Sequence, residues 1–209
     1  MNEKNYHHGD LKNALIRAGI EILTQEGVGG LSLRKAARKA GVSHAAPYAH
    51  FADKQSLIAA ISAEGHRRIW ERLTAVLTQY ADNPARLLSK AAWAYVSFGL
   101  EFPDYYKVTF SGTLENEHLY PEFMEYSQRN IQLLKTIIEK CRSAGILQTE
   151  EIDSEIQAIS LWGQLHGLVS LIIQGQIPSE LLASVQPQEM LLVALRQIVC
   201  IPMSREMLG

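Results

Sequence analysis

The chain has 209 residues, 47% of them hydrophobic and 20% charged, with a formal net charge of −2 and two cysteines. That is enough apolar material to bury a sizeable core in one globular body or two small domains. No uninterrupted apolar run reaches the roughly 18–20 residues that cross a bilayer, and the polar opening MNEKNYHHGD has no hydrophobic signal segment, so no membrane partner and a cytoplasmic location are expected.

Residues 8–26 place Leu11, Ala14, Leu15, Ala18, Ile22 and Leu23 in an i, i+3, i+4, i+7 series, which predicts an amphipathic helix stopped by Gly27. Asp10 near its start opposes the positive end of the helix dipole. The preceding His7-His8 pair invites a metal reading. Adjacent histidines point apart on a helix, however, and no acidic or thiol partner sits at ligand spacing, so a flexible arm or a phosphate-side contact is the stronger expectation.

Residues 27–54, GVGGLSLRKAARKAGVSHAAPYAHFADK, predict two short helices around a glycine turn. The first carries Leu31, Leu33, Ala36, Ala37 and Ala40 inward and Arg34, Lys35, Arg38 and Lys39 outward. Gly41 ends it, because a residue tolerating φ > 0 suits a helix C-terminus. Ser43 is a candidate cap for a second helix from about His44 to His50. Val42 and Phe51 can anchor that helix, leaving Ser43, His44, Ala45, Ala46, Tyr48 and His50 small or polar-tipped, as entry into a groove about 12 Å wide requires. Pro47 comes early enough to remove at most one backbone hydrogen bond.

Helix, glycine turn, helix is the layout of a helix-turn-helix reader. The pattern Gly41-Val42-Ser43, then Tyr48, His50-Phe51 and Lys54, preceded by Leu31-Ser32-Leu33-Arg34, resembles the DNA-binding domain of the TetR/AcrR family of transcriptional regulators over roughly the first fifty-five residues. The charge distribution agrees. Residues 1–54 hold eight Lys/Arg against five Asp/Glu, a net of +3, and residues 55–209 a net of −5. A basic end on an otherwise acidic chain suits oriented phosphate contact, although a charged surface can also be merely solvated.

From Asp53 an apolar series through Leu57, Ile58, Ile61, Ile69, Leu73, Val76 and Leu77 predicts a long connecting helix to about Tyr80, capped by Asp53, with Lys54 placed to meet a phosphate. Asn83-Pro84 restarts the chain, and a helix follows to about Glu101. Phe102-Pro103-Asp104 breaks it, and a short piece runs from Tyr105 to Phe110. The aromatics between 93 and 110 fit two readings: plain core packing, or the wall of an apolar pocket with hydroxyl tips from Tyr95, Tyr105 and Tyr106. Further helices are predicted over 119–144, 151–175 and 187–200, and no alternating strand signal occurs. The fold class is therefore all-α with about nine helices: a helix-turn-helix head over 1–54 and a helical ligand-binding and dimerisation domain over 55–209.

Within 151–175, Trp162 and His166 lie four apart on one face, and Gly163 and Gly167 four apart on the adjoining one. Each helix-interior glycine costs about 1 kcal/mol relative to alanine, which suggests close approach of another helix. Trp-x-x-x-His-Gly resembles the effector-domain signature of one TetR subgroup, the WHG domain. His166 has two readings, an internally bonded histidine or a ligand contact. Cys141 and Cys200 lack framework and metal-ligand spacing, so buried reduced thiols are expected, with a disulfide as the alternative.

The resemblance implies a homodimer paired through its last two helices, binding a near-palindromic double-stranded operator and released by a small-molecule effector, as a repressor does. It carries base-edge contact to Arg34 and His44 and backbone-side contact to Ser32, Ala46, Tyr48, His50 and Lys54, with Ser43 added to direct readout and Ala45 or Ala46 set to touch a thymine methyl. The effector pocket is expected from Trp93, Tyr95, Phe98, Phe110, Leu134, Trp162 and His166. No Ser/His/Asp order, phosphate loop or metal constellation stands out, so neither enzyme activity nor a cofactor is expected. An architectural DNA binder without a ligand is the remaining alternative.

Overall fold

The structure is a computed structural model that describes residues 8–147 and 152–208, with side chains from Leu11 onward. Nine α-helices follow in chain order among the described residues: α1 (His8–Gly30), α2 (Leu33–Lys39), α3 (Lys54–Gln79), α4 (Pro84–Glu101), α5 (Pro103–Thr109), α6 (Pro121–Ser143), α7 (Ser154–Ile173), α8 (Ser179–Ser184) and α9 (Pro187–Arg196). Single 3-10 turns occur at Ala46–Ala49, Glu117–Leu119 and Arg205–Met207. The all-α expectation holds, with one isolated antiparallel bridge between Leu147 and Val199.

The chain divides into two compact units. The first comprises the chain up to Arg67 together with Asp104–Ser127; the second comprises Arg68–Pro103 together with the chain from Gln128 onward. Helices α3 and α6 each give one part to each unit.

In the first unit α1, α2 and the start of α3 close over Leu15, Ile20, Leu31, Leu33, Ala36, Phe51, Leu57, Ile58 and Ile61, all nearly inaccessible. Fully burying such a side chain contributes about 1.5–3 kcal/mol, so this cluster holds α2, too short to persist alone, against α1 and α3. Val108, Leu114 and Phe123, from α5, the following loop and α6, complete the same core. The sequence periodicity gave no sign of that. Gly65 on α3 makes room for α5: a Cβ there would lie 1.8 Å from Thr109 Oγ1. His66, next to it, is buried between the ring edges of Phe110 and Phe123, each with centroids 5.4 Å away. Burial pushes its imidazole from 6.5 down to about 4.

In the second unit α4 packs against α7 and α9 over Leu87, Leu88, Val96, Leu161, Leu165, Val169, Leu191 and Leu195. Arg72 stacks over Phe98 and Phe102, with its guanidinium carbon 5.6 and 5.3 Å from the ring centroids, and donates to Glu101 at 2.6 Å. The segment after α9 folds back on α4. Met203 and Leu208 are buried, Ser89 Oγ donates to Met207 O, and Lys90 Nζ donates to Leu208 O at 2.8 Å. By length and composition α7 could cross a bilayer, but Leu161, Leu165 and Val169 bury one face of it inside this unit. Both cysteines are free thiols. Cys141 is buried, its thiol pushed up to about 12, whereas Cys200 is exposed, against the expectation that both are buried.

Candidate nucleic-acid interface

The head is set by its caps. Ser32 Oγ accepts from Lys35 N at 3.2 Å and starts α2. Gly41 leaves α2 at φ 70°, and Val42 N returns to Ala37 O at 3.0 Å, a turn that a Cβ at Gly41 would strain. The expected second helix is a single 3-10 turn, Ala46–Ala49, without a side-chain cap. Ser43 contributes its carbonyl, which accepts from Ala46 N at 3.0 Å, so the capping role assigned to its hydroxyl is not observed. Pro47 explains the shorter element: it is buried beneath the turn, cannot donate, and its carbonyl takes both His50 N and Phe51 N at 2.9 Å. Asp53 and Ser56 cap α3 reciprocally, with Ser56 N to Asp53 Oδ1 at 2.7 Å and Asp53 N to Ser56 Oγ at 3.0 Å.

This framework leaves Ser32, Arg34, Ser43, His44, Ala45 and Tyr48 exposed, Tyr48 by 55%, with Ala46, His50 and Lys54 half-buried. The turn is thus held from below by Pro47 and Phe51 and offers hydroxyl, imidazole and methyl groups outward, donors, acceptors and apolar contacts of the kind that read base edges. Lys35 and Lys39 are ion-paired to Glu26 and Glu21 of α1.

In the second unit the residues placed on a pocket wall divide. Trp162 Nε1 donates to Tyr95 Oη at 2.9 Å, and Tyr95 Oη lies 3.1 Å from His166 Nδ1. Burial lowers the pKa of His166. Trp93 and Leu134 are half-buried, and Phe98 is fully buried beside Phe102. Phe110 belongs to the first unit, packed against His66 and Tyr106. His66 was missed in the sequence because nothing local marks it: its neighbours come from α5 and α6.

Sequence comparison decides the family. A model for bacterial regulatory proteins of the tetR family matches residues 15–61, and a model for the tetracyclin repressor-like C-terminal domain matches residues 88–194, more than half the chain. The chain belongs to the TetR family. Its N-terminal domain is of the DNA-binding type, and its fold and family are those of transcriptional regulators. An uncharacterized HTH-type transcriptional regulator, YobS, of Bacillus subtilis is 30% identical over 99 residues, 47% of this chain and 51% of the relative. The tetracycline repressor protein class A from transposon 1721 of Escherichia coli is 34% identical over 87 residues, 40% of each chain. The alignments therefore span about half or less of these relatives. A solved structure of a protein with unknown function from Rhodococcus sp. RHA1 superposes with a TM-score of 0.75 at 28% identity, covering 93% of this chain and 96% of that one.

Proposed function

We propose that this TetR-family regulator is a homodimeric repressor that binds a near-palindromic operator and leaves it when a small molecule binds the second unit. The observation that carries the reading is the exposed Ser43–Tyr48 turn, anchored by buried Pro47 and Phe51 beside exposed Arg34. Arg34, Ser43 and His44 read base edges, Ala45 or Ala46 meets a thymine methyl, and Ser32, Tyr48, His50 and Lys54 hold the backbone, Lys54 at the N-terminus of α3.

Dimerisation is supported by α7 and α9. Ile156 and Ile159 are 61% and 52% exposed, Val193 57%, and a Cβ at Gly163 or Gly167 would meet no atom within 4 Å. Two glycines at i, i+4 within an exposed apolar stripe suit close approach of a second copy of the chain, since among the described residues nothing packs against either. The effector reading rests on the Trp162–Tyr95–His166 network with Trp93, Phe98 and Leu134, an aromatic and polar combination suited to a mostly apolar ligand. Binding there would shift a conformational equilibrium and weaken operator affinity by the coupling free energy between the two sites. A regulator of this kind works in the cytoplasm.

Titration of labelled operator and random duplex at several salt concentrations tests the DNA assignment. Arg34→Ala is expected to cost about 1–3 kcal/mol on operator and relax specificity at one base, whereas Lys54→Ala weakens all duplexes and lowers the salt slope. Equal losses on operator and random DNA for Arg34→Ala would refute the assignment. Thermal-shift screening with hydrophobic compounds tests the effector: stabilisation by a hit supports it, and a broad library without one favours an architectural binder.

A further inference from the structure

Helix α2, Leu33–Lys39, carries four basic side chains whose surroundings differ. At 100° per residue, Arg34 and Arg38 share one edge of the helix and Lys35 and Lys39 the next. The lysine edge is neutralised: Lys35 is paired with Glu26, and Lys39 Nζ lies 2.8 Å from Glu21 Oε2, both carboxylates on α1. The arginine edge is exposed, and neither Arg34 nor Arg38 has an acidic partner among the described residues. One helix therefore pairs two of its charges with α1 and leaves two without an acidic partner among the described residues, one turn or about 6 Å apart along its axis.

We infer that Arg38 is a second DNA contact on α2, a phosphate-binding side chain one turn behind Arg34. This rests on the DNA-reading assignment of the head. The planar guanidinium forks onto phosphate oxygens in two parallel hydrogen bonds, and a contact of that kind fixes the register of Arg34 without carrying sequence information. The roll of α2 is fixed by Leu33, Ala36 and Ala37, buried on its opposite side, so both arginines face outward together.

The test is affinity against salt for the full chain on operator and on random duplex, comparing wild type, Arg38→Ala, Arg38→Lys and Lys39→Ala. Arg38→Ala is expected to weaken both duplexes by the same factor, roughly three- to tenfold at low salt, and to lower the salt slope by about one. Arg38→Lys should keep the slope with weaker binding, and Lys39→Ala, whose charge Glu21 already answers, should leave the slope near wild type. A full slope in Arg38→Ala, or a loss confined to operator, overturns the inference while DNA reading by the head stands. Wild-type chain that binds neither duplex at low salt would remove the DNA reading itself and the inference with it.

Discussion

Trp162 on α7 and Tyr95 on α4 are joined by an indole N–H that donates to the phenol oxygen at 2.9 Å. An indole nitrogen only donates, so Tyr95 Oη accepts there, and the same oxygen lies 3.1 Å from His166 Nδ1. Burial of His166 lowers its pKa and favours the neutral imidazole. Tyr95→Phe leaves two partly buried polar groups without this partner and should cost about 1–3 kcal/mol. Urea unfolding should show a lower midpoint with an unchanged slope; an unchanged midpoint would mean that the network contributes nothing to stability.

His66 gives the head a sensitivity to acid. Its folded value of about 4 lies below the ordinary 6.5, so between those values the unfolded chain binds more protons than the folded one. The stabilisation is fully present above about pH 6.5 and is lost as pH falls toward 4, by an amount on the order of 3 kcal/mol. His66→Leu keeps the site apolar and removes the titration. Its unfolding midpoint should fall less steeply than that of wild type between about pH 7 and pH 4, and parallel profiles would contradict the burial account.

The contact of Gly65 with Thr109 predicts a non-additive pair. Gly65→Ala forces a Cβ to 1.8 Å from Thr109 Oγ1 and should destabilise by about 1–3 kcal/mol or more. Thr109→Ala removes that oxygen and leaves Thr109 Cβ at 3.0 Å, so the double variant should recover part of the loss. Simple addition of the two single effects in a double-mutant cycle would show that the close approach is not the cause.

Gly163→Leu tests the proposed dimer face. A Cβ at Gly163 would meet no described atom within 4 Å, and leucine has the better helix propensity, so the protomer should remain folded. Sedimentation should change from dimer to monomer while circular dichroism stays the same. A dimer of undiminished affinity would place the interface elsewhere.

Local chemistry made much of this fold legible. The Asp53 cap, the Gly41 turn and the Asn83-Pro84 restart each set an element boundary through backbone chemistry, and they lie where the sequence put them. What failed depended on tertiary packing. Ser43 was a plausible cap until buried Pro47 tightened the turn to 3-10 geometry, and periodicity alone gave no reason for Leu114, Phe110 and Phe123 to join the head unit. The fold-back at Met203–Leu208 was equally hidden, since its carbonyls at Met203, Met207 and Leu208 are held by side chains of Arg196, Ser89 and Lys90. Of the candidate reading groups, the exposed ones follow from small or polar side chains at spacings that avoid the core, which is why those positions could be named before their surroundings were known.

The most direct test of duplex reading by the Ser43–His50 turn is selection of bound sequences from a random duplex pool with the full chain at low salt. Enrichment of two inverted half-sites, their centres one helical turn or a multiple of it apart, is the predicted result. A pool that stays random after repeated rounds would contradict it.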